Sequence, residues 1–208
     1  MALSTYSDLK AAIADWAARA GLLADVTPDF VTLTEGLFNH GDEELGFAPL
    51  RCRQMETAAN LAVTAGAVAL PSDFLEVRRV TAATSPVREL SYAEPGWLKE
   101  AYPAGQNADA PKFYTIEGDT LRSVANVELV YYRTVPALSD ASPTNWLLTT
   151  FPNAYLFGGL LHYALYQMND EATARYLRLL RGAVRGLTRS DMTARAGVFE
   201  KRTAAGAY

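Results

Sequence analysis

Five arginines near the carboxyl end of the chain have the spacing of one helix face. They recur at intervals of three, three, four and four residues: Arg175, Arg178, Arg181, Arg185 and Arg189. In a helix they fall within an arc of about 120°, and the apolar residues of the same segment fill the opposite side. Guanidinium groups form charge-assisted hydrogen bonds with carboxylates and phosphates. The row indicates either a solvated helix face, which also suits the negative end of the helix dipole, or a contact surface for an acidic partner or for phosphates.

The positive row contrasts with the net charge of the whole chain, which is −4 over 208 residues. Residues 171–202 hold eight Lys or Arg against three Asp or Glu, whereas residues 1–170 hold eleven against twenty. An acidic body with a basic end argues against nucleic-acid binding over the whole surface. It permits a head-to-tail association between unlike faces.

The remaining reactive side chains form no recognised catalytic motif. The sequence has no P-loop, no G-x-G-x-x-G after a strand, no H-E-x-x-H, no paired C-x-x-C and no nucleophile elbow. His40 precedes an acidic run at 42–44 without a known ligand spacing, so we interpret it as part of a polar surface loop. We interpret His162 as an interior or interface histidine and Cys52 as a packed strand residue. We therefore predict no catalytic, cofactor or metal site and no enzyme.

Composition limits the class of protein further. Half of the residues are apolar and one fifth are charged, so the chain can bury a sizeable core without metal or disulfide. The single cysteine, Cys52, excludes an internal disulfide and makes a reduced cytosolic setting the default. No apolar run approaches membrane-spanning length, and the first residues lack the pattern of a secretory signal. We expect a soluble, unprocessed protein that does not bind membranes.

Helical patterns occur at both ends of the chain. Ser4 or Thr5 can cap a first helix that Gly21 ends, and a second helix starts at 27–29 and breaks at 39–41. A helix from Pro152 is apolar on nearly every face, which is typical of the centre of a bundle. A break at 169–170 separates it from the arginine-bearing helix.

The pattern in the middle of the chain predicts short strands. Runs of β-branched and aromatic residues are divided by turn signals, with a hairpin turn at 117–119 and a short helix within 92–103. These elements predict an α+β protein, mainly a bundle of about four helices with a small antiparallel β insertion and an extended C-terminal tail. The predicted segments are 1–50 and 137–189 for the bundle, 51–136 for the insertion and 190–208 for the tail.

The tail lacks sustained periodicity. Alone it reads as a frayed terminus, and if it folds on a partner its candidate anchors are Met192, Val198, Phe199 and Tyr208.

Several segments together resemble the head-to-tail adaptor (connector) proteins of tailed bacteriophages. They are MALSTYSDLKAAIADW, RQMET with ALPSDFLEVRRV, PKFYTIEGDTLR, VELVYYRTVPALSD and PTNWLLTTFPNAYLFGGLL, in this order over roughly residues 3–180. The resemblance implies a structural virion protein of the neck, between capsid and tail, present in the host cytoplasm during assembly. It further implies a dodecameric ring beneath the portal, with portal protein, tail or neck proteins and further copies as partners, and with DNA passing through the channel.

The resemblance suggests a role for each candidate interface residue. The five arginines would form a charged interface, and we favour contact with portal or a neighbouring copy over a channel lining, because a strongly attractive channel would slow DNA passage. Phe199, Arg202 and Tyr208 would dock the tail. Gly182 and Gly186 interrupt the last helix and argue against its rigidity. The alternatives are a tail-completion or stopper protein of the neck and a DNA-binding accessory factor.

Overall fold

The computed structural model describes residues 3–18, 26–103 and 105–204, with side chains only as far as residue 194. The chain forms two compact units. One unit combines Met1–Gln54 with Val135–Tyr208, and the other is Met55–Thr134. We call them the helical unit and the sheet unit.

The helical unit begins with α1 (Tyr6–Trp16) and α2 (Thr27–His40). The side chain of Thr5 accepts a hydrogen bond from the backbone N–H of Asp8, whose carboxylate accepts from the backbone N–H of Thr5. This reciprocal capping satisfies helix donors that have no partner within the helix. Pro28 lies in the first turn of α2, and Gly41 follows its end with φ of 73°. Both predicted helix starts are confirmed.

The carboxyl-terminal part of this unit contains α4 (Trp146–Thr150), α5 (Pro152–Tyr166) and α6 (Asp170–Ala204). α5 packs against α1, α2 and α6, which explains its apolar character on nearly every face. Two adjacent glycines let it approach the first two helices closely. A Cβ atom on Gly158 would lie 2.2 Å from Thr34 Cγ2, and one on Gly159 would lie 2.4 Å from Ile13 Cδ1.

A buried polar network fixes the connection that leads from residue 135 to α4. Glu35 Oε1 accepts hydrogen bonds from the backbone N–H of Leu138 at 2.8 Å and from the hydroxyl of Tyr155 at 3.2 Å. Asn145 Nδ2 donates to the Tyr155 hydroxyl oxygen at 2.7 Å, and Asn145 Oδ1 caps α4 by accepting from Leu148 N–H. The network therefore ties α2, α4, α5 and their connection together.

The sheet unit contains one seven-stranded sheet and the short helix α3 (Pro95–Ala101). A 3₁₀ helix (Arg53–Met55) precedes the first strand. The strands are β1 (Glu56–Leu61), β2 (Ala67–Ala69), β3 (Phe74–Ala82), β4 (Arg88–Tyr92), β5 (Phe113–Glu117), β6 (Thr120–Arg122) and β7 (Val127–Arg133). Their order is β1-β7-β3-β4-β5-β6-β2, and β4 pairs with β5 in parallel while the other pairs are antiparallel.

The sheet must curl because its two edge strands are neighbours in the sequence. Only residues 62–66 separate β1 from β2, and Thr64 pairs with Ala67 in this link. Curling gives a half-barrel with an apolar interior, and its buried residues are Val80, Ala82, Leu90, Tyr114, Leu121, Val127, Leu129 and Tyr131. The outer face carries ion pairs such as Glu56 with Arg78 at 3.4 Å.

The predicted fold class is wrong in its proportions and in its tail. The described residues form six helices and a seven-stranded mixed sheet, with 43% helix and 22% strand, rather than a mainly helical bundle with a small antiparallel insertion. Strands such as Ala67–Ala69 and Thr120–Arg122 are too short to give a period-two signal. The backbone of residues 190–204 continues α6 and is not an extended tail.

Candidate functional site on the arginine-bearing helix

Local hydrogen bonds fix the start of α6 and its apolar residues fix its packing. Asn169 caps the helix, because its side-chain oxygen accepts from Ala172 N–H at 3.0 Å and its carbonyl accepts from Thr173 N–H at 2.9 Å. Leu180 and Leu187 are fully buried, on the face of α6 that packs against the rest of the helical unit. The arginine row therefore lies on the rest of the helix surface, as the periodicity predicts.

The helix continues through both of its central glycines. α6 spans 35 residues, which corresponds to about 50 Å of helix. A Cβ atom on Gly182 or on Gly186 would meet no atom within 4 Å. The expected interruption at these two residues is wrong, because α6 is continuous from Asp170 to Ala204. Burial of Leu180 and Leu187 stabilises the helix on either side of the two glycines.

Arg181 differs from the other arginines because it bonds within the protein. Its Nη2 donates to the carbonyl oxygens of Leu45 and Gly46, the latter at 3.1 Å. The side chain of Arg181 is half-buried. It holds the turn that connects the paired residues Asp42 and Phe47. One of the five predicted contact arginines therefore stabilises the fold of its own chain.

A second contact joins α6 to the segment that follows this turn. Asp191 is 8% exposed, and its Oδ1 accepts a hydrogen bond from the backbone N–H of Arg53 at 3.1 Å. Sequence reasoning missed this contact and the turn that Arg181 holds. No local motif indicates either one, because each links positions more than 130 residues apart.

Arg175 and Arg185 are exposed and make local contacts. The Arg175 guanidinium lies 4.9 Å from the ring centroid of Tyr176 and donates to its hydroxyl at 3.3 Å. Arg185 Nε donates to the carbonyl oxygen of Arg181 at 3.3 Å, within the same helix. Both contacts are weak at the surface and leave most of each guanidinium accessible.

Arg178 and Arg189 are exposed, and the guanidinium group of neither makes an ion pair or hydrogen bond with any residue whose side chain the structure describes. They lie on the face that also carries Arg175 and Arg185. We define these four residues as the arginine face. Its guanidinium groups can donate hydrogen bonds to the oxygen atoms of a carboxylate or a phosphate.

The other predicted interface residues lie toward the end of α6. Phe199 and Arg202 belong to its final turns, where the backbone alone is described. Tyr208 falls outside the described residues. Their role in docking stays a prediction.

The reactive side chains considered for chemistry belong to other parts of the chain than α6. His40 is exposed, whereas Cys52 is fully buried. Burial lowers the pKa of His162, and its Nε2 makes no hydrogen bond with the described part of the chain. No cluster of three His, Cys, Asp or Glu suited to a metal ion occurs among the described residues. None of the helices in the described part of the chain combines the length and the hydropathy of a bilayer-spanning segment.

Comparison with known proteins gives one family. A family model described as SU10 adaptor protein matches residues 4–200. No curated protein matches the chain. The matched region includes both units and α6 as far as residue 200.

Proposed function

Because the chain belongs to the SU10 adaptor protein family, we propose that it is the head-to-tail adaptor of a tailed phage. Family membership indicates a structural phage protein. The finer proposal is a ring, of twelve copies by analogy with connectors, that binds beneath the portal in the neck and carries the tail. The observation that supports it is the extent of the family match, which covers nearly the whole chain.

A ring needs unlike surfaces on the two sides of each subunit. Heterologous contacts close into a ring only if one patch fits a different patch on the next copy. The arginine face supplies a cationic patch, and exposed carboxylates such as Asp15, Asp29 and Glu43 supply candidates for the opposite charge. We propose that the arginine face contacts carboxylates of portal or of a neighbouring copy.

The end of α6 is the proposed docking element. Phe199 and Arg202 lie about one turn apart along the backbone of this helix, and we propose that both contact one partner. Tyr208 would add an aromatic contact beyond it. Contacts of modest strength suffice, because they are multiplied by the effective concentration around the ring.

The arginine face can be tested by cosedimentation with portal rings purified from the same phage. Arg178→Glu with Arg189→Glu should reduce portal binding at least tenfold, because two cationic donors become repulsive to carboxylates. A matched control is Arg88→Glu with Lys112→Glu, two exposed residues of the sheet unit with the same change in charge. Equal loss in both double variants would show a nonspecific charge effect and remove the arginine face from the proposal.

The docking role can be tested with a chain that ends at Ala194. This truncation keeps Asp191 and its hydrogen bond to Arg53, so the packing of α6 on the segment before the sheet is retained. We expect weaker portal binding than that of the full chain. If the truncated chain binds portal as tightly, residues 195–208 do not dock.

A second candidate function rests on the same exposed cations. Four accessible guanidinium groups along one helix could bind the phosphates of duplex DNA without reading its sequence. In that case duplex affinity is measurable, falls steeply with salt, and depends on Arg178 and Arg189. A neck stopper is distinguished instead by a preference for purified tail proteins over portal.

A further inference from the structure

The sheet unit has one edge that is long and regular. β1 and β2 are the two edge strands, and β1 has six residues whereas β2 has three. β1 pairs with β7 in an unbroken register, because the irregularities of the sheet lie between β3 and β7. Ala58 and Asn60 in the middle of β1 are exposed. This edge therefore offers an accessible strand of regular geometry.

The hydrogen bonds of β7 show which of its backbone groups face each neighbouring strand. The N–H of Ala83 donates to the carbonyl oxygen of Asn126 at 2.8 Å. The N–H of Thr134 donates to the carbonyl oxygen of Asp73, also at 2.8 Å. Both bonds lie on the β3 side, and backbone direction alternates along an antiparallel strand. Even-numbered residues of β7 therefore face β3, and odd-numbered residues face β1.

The same alternation leaves backbone groups of β1 without a partner. Ala59 is paired with Leu129, an odd-numbered residue of β7, so the backbone of Ala59 bonds to β7. Its neighbours Ala58 and Asn60 direct their N–H and C=O groups away from the sheet. These four groups make no hydrogen bond with any residue that the structure describes.

β1 lacks the features by which proteins protect an edge strand. Those features are lysine, proline, a bulge, or a helix or loop that covers the edge. Residues 57–61 contain neither a charged residue nor a proline. Ala59 and Leu61 pack against the apolar interior of the half-barrel but are only partly buried. Such an edge favours the addition of another strand, because an extended backbone matches its unpaired groups.

We propose that β1 pairs antiparallel with β1 of a second copy of this chain, with Ala59 of both copies at the two-fold axis. Ala58 of each copy then lies opposite Asn60 of the other. Each of these two pairs exchanges two N–H···O bonds, which satisfies the outward backbone groups of both residues in both copies.

The side chains of β1 fit this pairing. The two residues at the axis form a pair without hydrogen bonds, in which Cα atoms approach to about 4.5 Å, and the small Ala59 suits that distance. Leu61 lies opposite Thr57 of the second copy and gains apolar cover on the interior face. No charged residue occurs among residues 57–61, so no like charges oppose each other in these pairs.

The pairing stops at two copies. The same edge is used on both copies, so the contact is isologous and closes. The edge that remains is β2, which is only three residues long, and its Ala67 already exchanges backbone hydrogen bonds with Thr64. The pair goes beyond the proposed adaptor function and does not depend on it, because a ring closes through heterologous contacts that this pairing does not supply.

Sedimentation equilibrium of the purified full chain, from about 5 µM to about 500 µM, tests the pairing. We expect a monomer–dimer equilibrium with Kd in the micromolar range, because two short strands bury little area. Ala58→Pro removes an outward N–H and keeps the bonds between β1 and β7. It should weaken the dimer about tenfold or more, because each copy loses a donor across the axis.

Ala69→Pro is the matched control on the other edge. The N–H of Ser123 donates to the Gly66 carbonyl oxygen at 3.2 Å. The N–H of Leu70 donates to the Asp119 carbonyl oxygen at 2.8 Å. Alternation between these two positions directs the N–H of Ala69 away from β6. The control therefore removes an outward N–H from β2, and it should leave the affinity of the dimer unchanged.

Hydrogen exchange of the native chain gives a second measurement, which does not depend on the folding of either variant. The amide protons of Ala58 and Asn60 should exchange several-fold more slowly at about 500 µM than at about 5 µM. The amide proton of Ala69 should exchange at the same rate at both concentrations.

The proposal is overturned if the native chain stays monomeric up to about 500 µM, if Ala58→Pro dimerises as tightly as the native chain, or if Ala69→Pro weakens the dimer equally. Particles of more than two copies would also overturn it, because isologous pairing closes at two. Its failure differs from failure of the adaptor function. A dimer that does not bind portal removes the adaptor assignment alone, and portal binding by a chain that stays monomeric in solution removes the β1 pairing alone.

Discussion

Glu35 shows how one buried carboxylate can organise a connection in the helical unit. It is 6% exposed and accepts hydrogen bonds from Leu138 and Tyr155. Burial raises the pKa of Glu35, and the two hydrogen bonds oppose that shift without cancelling it. The charged form is therefore less favourable in the folded protein than in the unfolded chain.

Replacing Glu35 by glutamine should make stability less dependent on pH. The raised pKa means that the native carboxyl favours folding at low pH, and that this advantage is lost as the pH rises through the folded pKa. The amide oxygen of Glu35→Gln can still accept from Leu138 and Tyr155. We expect equal stability of native chain and variant below about pH 4, and a more stable variant at pH 8, by about 1.4 kcal/mol for each unit of pKa shift.

Denaturant unfolding of both chains across this pH range measures the difference. Glu35→Ala is the control, because it removes the acceptor and should destabilise the protein at every pH by about 1–3 kcal/mol. A constant difference between Glu35→Gln and the native chain would contradict the pKa argument.

Arg181 and Arg178 should differ sharply when each is replaced by alanine, although they lie one turn apart. Arg181 donates to two carbonyl oxygens of the 42–47 turn, so Arg181→Ala should lower the free energy of unfolding by about 1–2 kcal/mol. Arg178 is exposed, and Arg178→Ala should change the free energy of unfolding by less than about 0.5 kcal/mol. Chemical denaturation compares them directly, and an equal effect would show that the turn does not depend on Arg181.

At the scale of elements, Gly158 of α5 and Gly182 of α6 affect stability in opposite ways. Gly158 lies where α5 crosses α2, and an added Cβ atom would overlap Thr34, whose hydroxyl donates to the Phe30 carbonyl at 2.7 Å. Gly182 lies in open space on the exposed side of α6. One glycine permits close packing, and the other only weakens a helix.

Alanine at these two positions should therefore change stability in opposite directions. Gly158→Ala should destabilise the protein by about 1–3 kcal/mol through overpacking. Gly182→Ala should stabilise it by about 0.5–1 kcal/mol through helix propensity. Thermal unfolding followed by circular dichroism measures both. Stabilisation by Gly158→Ala would mean that the α2–α5 crossing is looser than the structure shows.

The elements that could be predicted from sequence are those with local signals. Thr5 caps α1 as expected, Pro28 lies in the first turn of α2, and residues 117–119 turn between β5 and β6. The seven-stranded sheet could not be predicted because its pairings are long-range, such as β1 with β7 and the parallel β4 with β5. The helical periodicity located the arginine row, but only tertiary contacts separate Arg181 from the arginine face.

At the scale of the whole molecule, assembly should depend on the unlike charges of the chain. The basic segment 171–202 and the acidic remainder can attract across subunits only while salt does not screen them. Raising the salt from about 0.05 M to about 0.5 M should weaken binding to portal several-fold. Light scattering of portal mixtures measures this. Binding that is unaffected by salt would assign the interface to apolar contacts instead.

The central claim is that this protein joins portal to tail as a ring. The most direct measurement is electron microscopy of purified portal rings from the same phage after mixing with the full chain. The account predicts a coaxial ring of added density on the tail-facing end of each portal, lost when Arg178→Glu and Arg189→Glu are combined. Portals that stay bare at saturating concentrations of a folded native chain would contradict it.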